Sequence, residues 1–204
     1  MSRLKMTCGA MTAALALAAG GAARADRGGR GEHGDHKHGK VAAAQAAKVP
    51  LADAIAIAER ASGGRVAKIE IDSEHGTSAY EIKAVSNEGR AKLLVDTTTG
   101  TVLRNERKSA SQQDREALTR LASSRTTLAQ AVQVAEKQGA GKAVAAGLED
   151  EKEHRDGAKV YEVDVAANGA VQRVWVDMSS GQVVASPSPD KEHEHHDDGE
   201  EDDD

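Results

Sequence analysis

The feature that most constrains this 204-residue chain is that it repeats itself. Leu51, Ala52, Ala54, Ala58 and Glu59 recur as Leu128, Ala129, Ala131, Ala135 and Glu136, a constant offset of 77. Further on, Tyr80-Glu81-Ile82 recurs as Tyr161-Glu162-Val163, and Asp96 with Gly100 as Asp177 with Gly181, now at an offset of 81. The second copy has therefore gained four residues, and the gain falls in the polar segment before the tyrosine, where a longer hairpin loop costs little. A repeat of this length is one supersecondary unit made twice.

Each copy opens with an apolar stripe at helical spacing: Leu51, Ala54, Ile55 and Ala58, then Leu128, Ala131, Val132 and Ala135. Thr127 and Gln130 are spaced to cap the second helix, and Pro50 stands where the first needs no amide. Gly63-Gly64, and Gly139 with Gly141, are expected to supply the left-handed exits. Apolar residues then alternate, as in Ile69 and Ile71, Tyr80, Ile82 and Ala84, Leu93 and Val95, which predicts half-buried strands joined by short turns. The expected fold class is α+β: two tandem modules over 49–104 and 126–186, each an N-terminal helix on its own three- to four-stranded antiparallel sheet. Residues 105–125 join them as a helical linker, with Ser111 and Asp114 suited to open its helix.

Two short modules without phenylalanine, and with one tryptophan and two tyrosines, must build their cores from Ala, Val, Leu and Ile. At about 1.5–3 kcal/mol for each larger buried side chain, each module is expected to be modestly stable. Residues 1–25 read as a signal peptide: Arg3 and Lys5, a small apolar run to Gly21, and a small-x-small site at Ala23-Arg24-Ala25. The sole cysteine, Cys8, lies in that segment, so the mature chain lacks disulfides and thiolate metal sites. Export implies a periplasmic or secreted protein with no stable membrane span after cleavage. The net charge of −6 has no basic cluster of the kind that holds phosphate, which excludes nucleic acid as a partner. Residues 26–48 and 187–204 are rich in charge, His, Gly and Pro, and both are expected to be disordered.

A helix of the form Leu-x-x-Ala-x-x-x-Ala, a Tyr-Glu-Ile/Val strand and an apolar strand closing in Asp-x-x-x-Gly-x-Val together resemble the PepSY family. The resemblance covers Val49 to Arg104 and Thr126 to Ser186. It implies a helix packed on an antiparallel sheet in exported bacterial proteins, with relatives in the pro-regions of secreted metalloproteases and as small periplasmic proteins. It supplies no catalytic residue to carry over, and the His-rich ends depart from it.

Chemistry is correspondingly sparse. Asp96 and Asp177 fit turn openers that accept their own downstream amides better than calcium ligands, since no second carboxylate stands at calcium-loop spacing. Tyr80 and Tyr161 read as core residues with a hydroxyl at the sheet margin. Trp175, and Leu94 at the equivalent position, alternate away from the helix-covered face, so each sheet shows a large apolar residue outward. Either two modules, or two chains, pack these faces together, or the faces are partner-binding. Six histidines gather in the ends, His33, His36 and His38, then His193, His195 and His196 among acids, a donor set suited to Zn, Cu or Ni. His75 and His154 stand beside acids in the equivalent hairpin loop, a weaker hint of a further site. No nucleotide loop, catalytic triad or required cofactor can be assembled, so the expectation is a non-catalytic accessory protein with an envelope or secreted protein as partner. A peptidase inhibitor is the alternative, and a structural envelope component a third reading.

Overall fold

The computed structural model describes residues 32–72, 78–149 and 159–184, with the backbone alone for 32–38. Twelve elements run in order: α1 (Glu32–Ala46), α2 (Leu51–Ser62), β1 (Arg65–Asp72), β2 (Ala79–Ser86), β3 (Gly89–Asp96), β4 (Val102–Lys108), α3 (Gln112–Ser123), α4 (Leu128–Gly139), β5 (Lys142–Leu148), β6 (Val160–Ala167), β7 (Ala170–Asp177) and β8 (Val183–Val184). The strands form one antiparallel sheet of eight, in the order β4-β3-β2-β1-β5-β6-β7-β8. This corrects the expectation of a separate sheet in each module. The two copies meet edge to edge, with Lys68, Ile69 and Glu70 of β1 opposite Gly147, Ala146 and Ala145 of β5. Ile69 thus faces its own counterpart, Ala146, and a near two-fold axis passes between them.

Both repeat helices lie on one face of this sheet and touch each other. Leu51, Ala54, Ile55 and Ala58 of α2 and Leu128, Ala131, Val132 and Ala135 of α4 are buried, as the helical spacing requires. Beneath them, Ile69, Ile71, Tyr80, Ile82, Leu93 and Val95, with Tyr161, Val163, Val165 and Val176, complete a single core. The Thr127 hydroxyl accepts the Gln130 amide, and the Gln130 side chain accepts that of Thr127 in return.

The two helices leave by unlike residues. Gly63 ends α2 at φ 70°, whereas Ala140, not Gly139 or Gly141, ends α4 at φ 48°. An alanine held there costs about 1–2 kcal/mol that a glycine would not. Ala140→Gly should therefore raise the free energy of unfolding by about 1 kcal/mol in urea titration, and a neutral or destabilising result contradicts that account.

Residues 26–48 were expected to be disordered, and the structure corrects this: 32–46 form α1, with Val41, Ala43 and Ala44 buried. Alanine pays little side-chain entropy, and the apolar surface that the segment lacks is supplied by strands of the distant copy. α1 and α3 are equivalents: they end at positions 46 and 123, and Lys48 and Val49 donate to the Thr97 carbonyl as Arg125 and Thr126 do to that of Met178. Each unit is therefore two helices and four strands. α1 crosses onto β5, β6 and β7 of the second copy as well as β1, and α3 onto β2 and β1 of the first. The first unit also runs beyond residue 104, because β4 continues to Lys108 where a helical linker was expected. Among the described residues no single helix is long and apolar enough to cross a membrane.

Candidate functional site

Side chains that alternate away from α2 and α4 make the outer face of the sheet. Glu70, Glu81, Lys83, Arg90, Lys92 and Leu94 point there from the first copy, and Glu162, Asp164, Arg173 and Trp175 from the second. α3 and α1 cover only part of it. Lys40 of α1 bonds Glu70 at 3.4 Å, and Asp114 of α3 sits 2.7 Å from Lys83 and 3.8 Å from Arg90. An open groove of about 270 Å³ is lined mostly by charged residues of β1 to β4.

Leu94 and Trp175 occupy the predicted side, half-buried, but they do not meet. Edge-to-edge joining puts five strand spacings between β3 and β7, about 24 Å. Packing of the two copies' outer faces within one chain is thereby overturned. Beside Trp175 stands Val184, and beside Leu94 the bulge residue Leu103, 51 % exposed, so each end of the face carries an apolar pair.

The buried carboxylate of Asp114 ties α3 to the other copy's strands. Burial pushes its carboxyl up, but hydrogen bonds from Lys83 and from the amide and hydroxyl of Ser111 outweigh that and bring it down to about 2. Because the folded value lies below the unfolded one, the stabilisation is complete above about pH 4 and is lost as pH falls toward 2. Asp114→Asn should cost about 1 kcal/mol at pH 7, less than a fully buried pair because both cations are partly solvated. That deficit should shrink on acidification in parallel urea titrations, and a deficit constant down to pH 2.5 would contradict the assignment.

The two turn aspartates are used by their own loops. Asp96 Oδ1 accepts the Thr98 and Thr99 amides at 2.9 and 2.7 Å and the Thr99 hydroxyl, and Asp177 Oδ1 accepts the amides and the hydroxyls of both Ser179 and Ser180. Hydrogen bonding, led by the Thr99 amide at Asp96 and the Ser179 hydroxyl at Asp177, lowers both carboxyls. The tyrosines are anchors: Tyr80 donates to the Val49 carbonyl at 2.7 Å and Tyr161 to that of Thr126 at 2.9 Å. Burial, then the charge of Glu136, pushes the Tyr80 hydroxyl up to about 12, which removes it as a proton carrier near neutral pH.

Sequence reasoning missed Glu59 and Glu136. Their carboxylates accept the Val66 and Ala143 amides at 3.1 and 2.9 Å, where β1 and β5 each carry a bulge. The signal was present, since both glutamates end the aligned helical repeat. Among the described residues no group of three or more His, Cys, Asp or Glu could hold a metal. The histidine side chains proposed as ligands, at 33, 36, 38, 193, 195 and 196, lie outside the described residues, as do His75, His154 and the expected signal segment, residues 1–25.

The model for the peptidase propeptide and YPEB domain, PepSY, matches residues 48–106 and again 126–186. The chain belongs to the PepSY family. No curated protein matches it. Among solved structures it is similar to a candidate lipoprotein from Clostridium difficile 630, at 21 % identity over 70 % of this chain and 95 % of that one, with a TM-score of 0.44. The first PepSY match ends inside β4, so that strand belongs to the unit, as the structure has it.

Proposed function

We propose that this PepSY protein is an exported, non-catalytic accessory protein of the periplasm or the secreted fraction. It offers the outer face of its joined sheet to an envelope or secreted protein, and its His-rich ends hold divalent Zn, Cu or Ni. The observation that carries the reading is the open part of that face, where Leu94 and Trp175 stay half-buried beside charged groups instead of closing on each other. Half-buried apolar anchors in a polar surround are the usual make-up of a binding surface. The signal-like leader supports export.

The partner test uses photo-crosslinking from position 94 or 175 of the mature chain in envelope extracts. Specific adducts that disappear in a Trp175→Asp, Leu94→Asp variant support the reading, and an absence of adducts from either position argues against it. For the metal role, α1 is part of the fold, so substitution is preferable to truncation. Calorimetric titration with Zn²⁺ or Cu²⁺ should show several weak sites that vanish when His33, His36, His38, His193, His195 and His196 are all replaced by Gln. Unchanged binding would sink the assignment to the ends.

A second reading, inhibition of a secreted peptidase, is favoured by the family's own description as a peptidase propeptide domain. Assays of exported metallopeptidases with micromolar mature chain decide it. Inhibition that weakens in Trp175→Ala places it on the outer face, and no inhibition across the panel rejects it.

A further inference from the structure

The outer face is electrically lopsided, and the lopsidedness matches a segment of the same chain. In the first copy's half, Lys68, Lys83, Arg90, Lys92 and Lys108 line the groove against Glu70, Glu81 and Glu106. Glu70 is already shared by Lys40 and Lys68, Glu81 is held by Lys92, and Glu106 by Arg104. Asp114, beneath, serves both Lys83 and Arg90. Counting Lys40 and Asp114, six cations meet four carboxylates, and Lys108 has no carboxylate partner among the described residues. The second copy's half is the reverse, with Glu162 and Asp164 sharing Arg173. Residues 190–204 carry ten acidic residues and one lysine, in a chain whose total is only −6.

We propose that this acidic C-terminal segment, Asp190–Asp204, docks in the cationic groove of the first copy, whose lining does not include Leu94. It does not depend on any outside partner or metal. Reach permits it. The last described strand, β8, lies five strand spacings from β2, about 24 Å. About seven extended residues span that distance at about 3.4 Å each, which leaves most of the acids available at the groove. Attachment to the same chain raises the local concentration of the segment to about the millimolar range, enough for a contact built from a small charge excess. The acids of the second half turn the segment away from the end where it is tethered. Such a contact is screened by salt, because the cations are exposed: Lys68 and Lys92 are each 61 % accessible.

The test is carbodiimide crosslinking of the intact mature chain, read by mass spectrometry. At low ionic strength, amide links from residues 190–204 should concentrate on Lys92, Lys108 and Lys68, fall severalfold in about 0.5 M NaCl, and disappear from the groove in Lys92→Glu, Lys108→Glu. Links spread evenly over Lys137, Lys142 and Lys159, or unchanged in the double variant, would overturn the proposal. A second arm keeps the answer independent of crosslinking chemistry. A chain ending at Ser186 should bind a synthetic peptide of residues 187–204 at least tenfold more tightly than the intact chain does, and equal affinity would overturn it.

Discussion

Ile69→Ala should lower the free energy of unfolding by about 3 kcal/mol, and Trp175, in the other copy, should report that loss as fully as the backbone does. The side chain is wholly buried at the point where β1 meets β5. Removing three carbons there costs their transfer free energy plus a cavity that the strand frame cannot close, within the range of about 2–5 kcal/mol seen for Ile→Ala in cores. Two independent modules would confine the damage to residues before 109. One sheet under two touching helices spreads it. The chain has a single tryptophan, in β7, so its fluorescence follows the second copy alone while far-ultraviolet circular dichroism follows both. Coincident urea midpoints, both shifted by the substitution, are expected. A tryptophan midpoint that stays at its parental value would mean that the copies unfold separately.

Gly141→Ala should be as damaging, for a different reason. A Cβ at Gly141 would lie 2.2 Å from the Ala166 carbonyl oxygen, and at the equivalent Gly64 2.7 Å from that of Val85. In both places the obstacle is backbone of a paired strand, not the end of a flexible side chain. Either the strand start moves away from β6, or β6 bends and gives up ladder bonds, at a cost of about 3 kcal/mol or more for Gly141 and somewhat less for Gly64. Urea titration of the two variants measures the difference directly. A loss under about 1 kcal/mol at Gly141 would show that the close approach carries no constraint.

These examples mark what was legible in the sequence. Apolar spacing located α2 and α4, alternation located the strands that follow each, and Thr127 with Gln130 fixed a cap, because all are local codes read over a few residues. The equivalence of α1 and α3 was not legible. Val41-Ala-Ala-Ala and Leu118-Thr-Arg-Leu share no residue type at matched positions, and what they have in common is the distant strand surface each covers. Nor was the joining of the sheets legible, since Lys68-Ile69-Glu70 and Ala145-Ala146-Gly147 carry no pattern that distinguishes a central pair from two free edges. At the candidate site, alternation placed Leu94 and Trp175 outward. Whether anything lay over them depended on strand order across the whole sheet, which no local signal encodes. Ala140 illustrates the opposite error: two glycines nearby invited the left-handed assignment, and the strand register gave that conformation to the residue between them.

The most direct test of the joined sheet is a disulfide across its centre. Glu70 and Ala145 are opposed in the β1 and β5 ladder, where antiparallel partners have Cα atoms about 4.5–5.5 Å apart, within disulfide reach. With Glu70→Cys and Ala145→Cys in a chain beginning at Asp26, mild oxidation should give near-complete intramolecular linkage between 70 and 145 by peptide mapping, with an unchanged circular dichroism spectrum. Free thiols, or links between chains only, would contradict the pairing of the two PepSY units into one sheet.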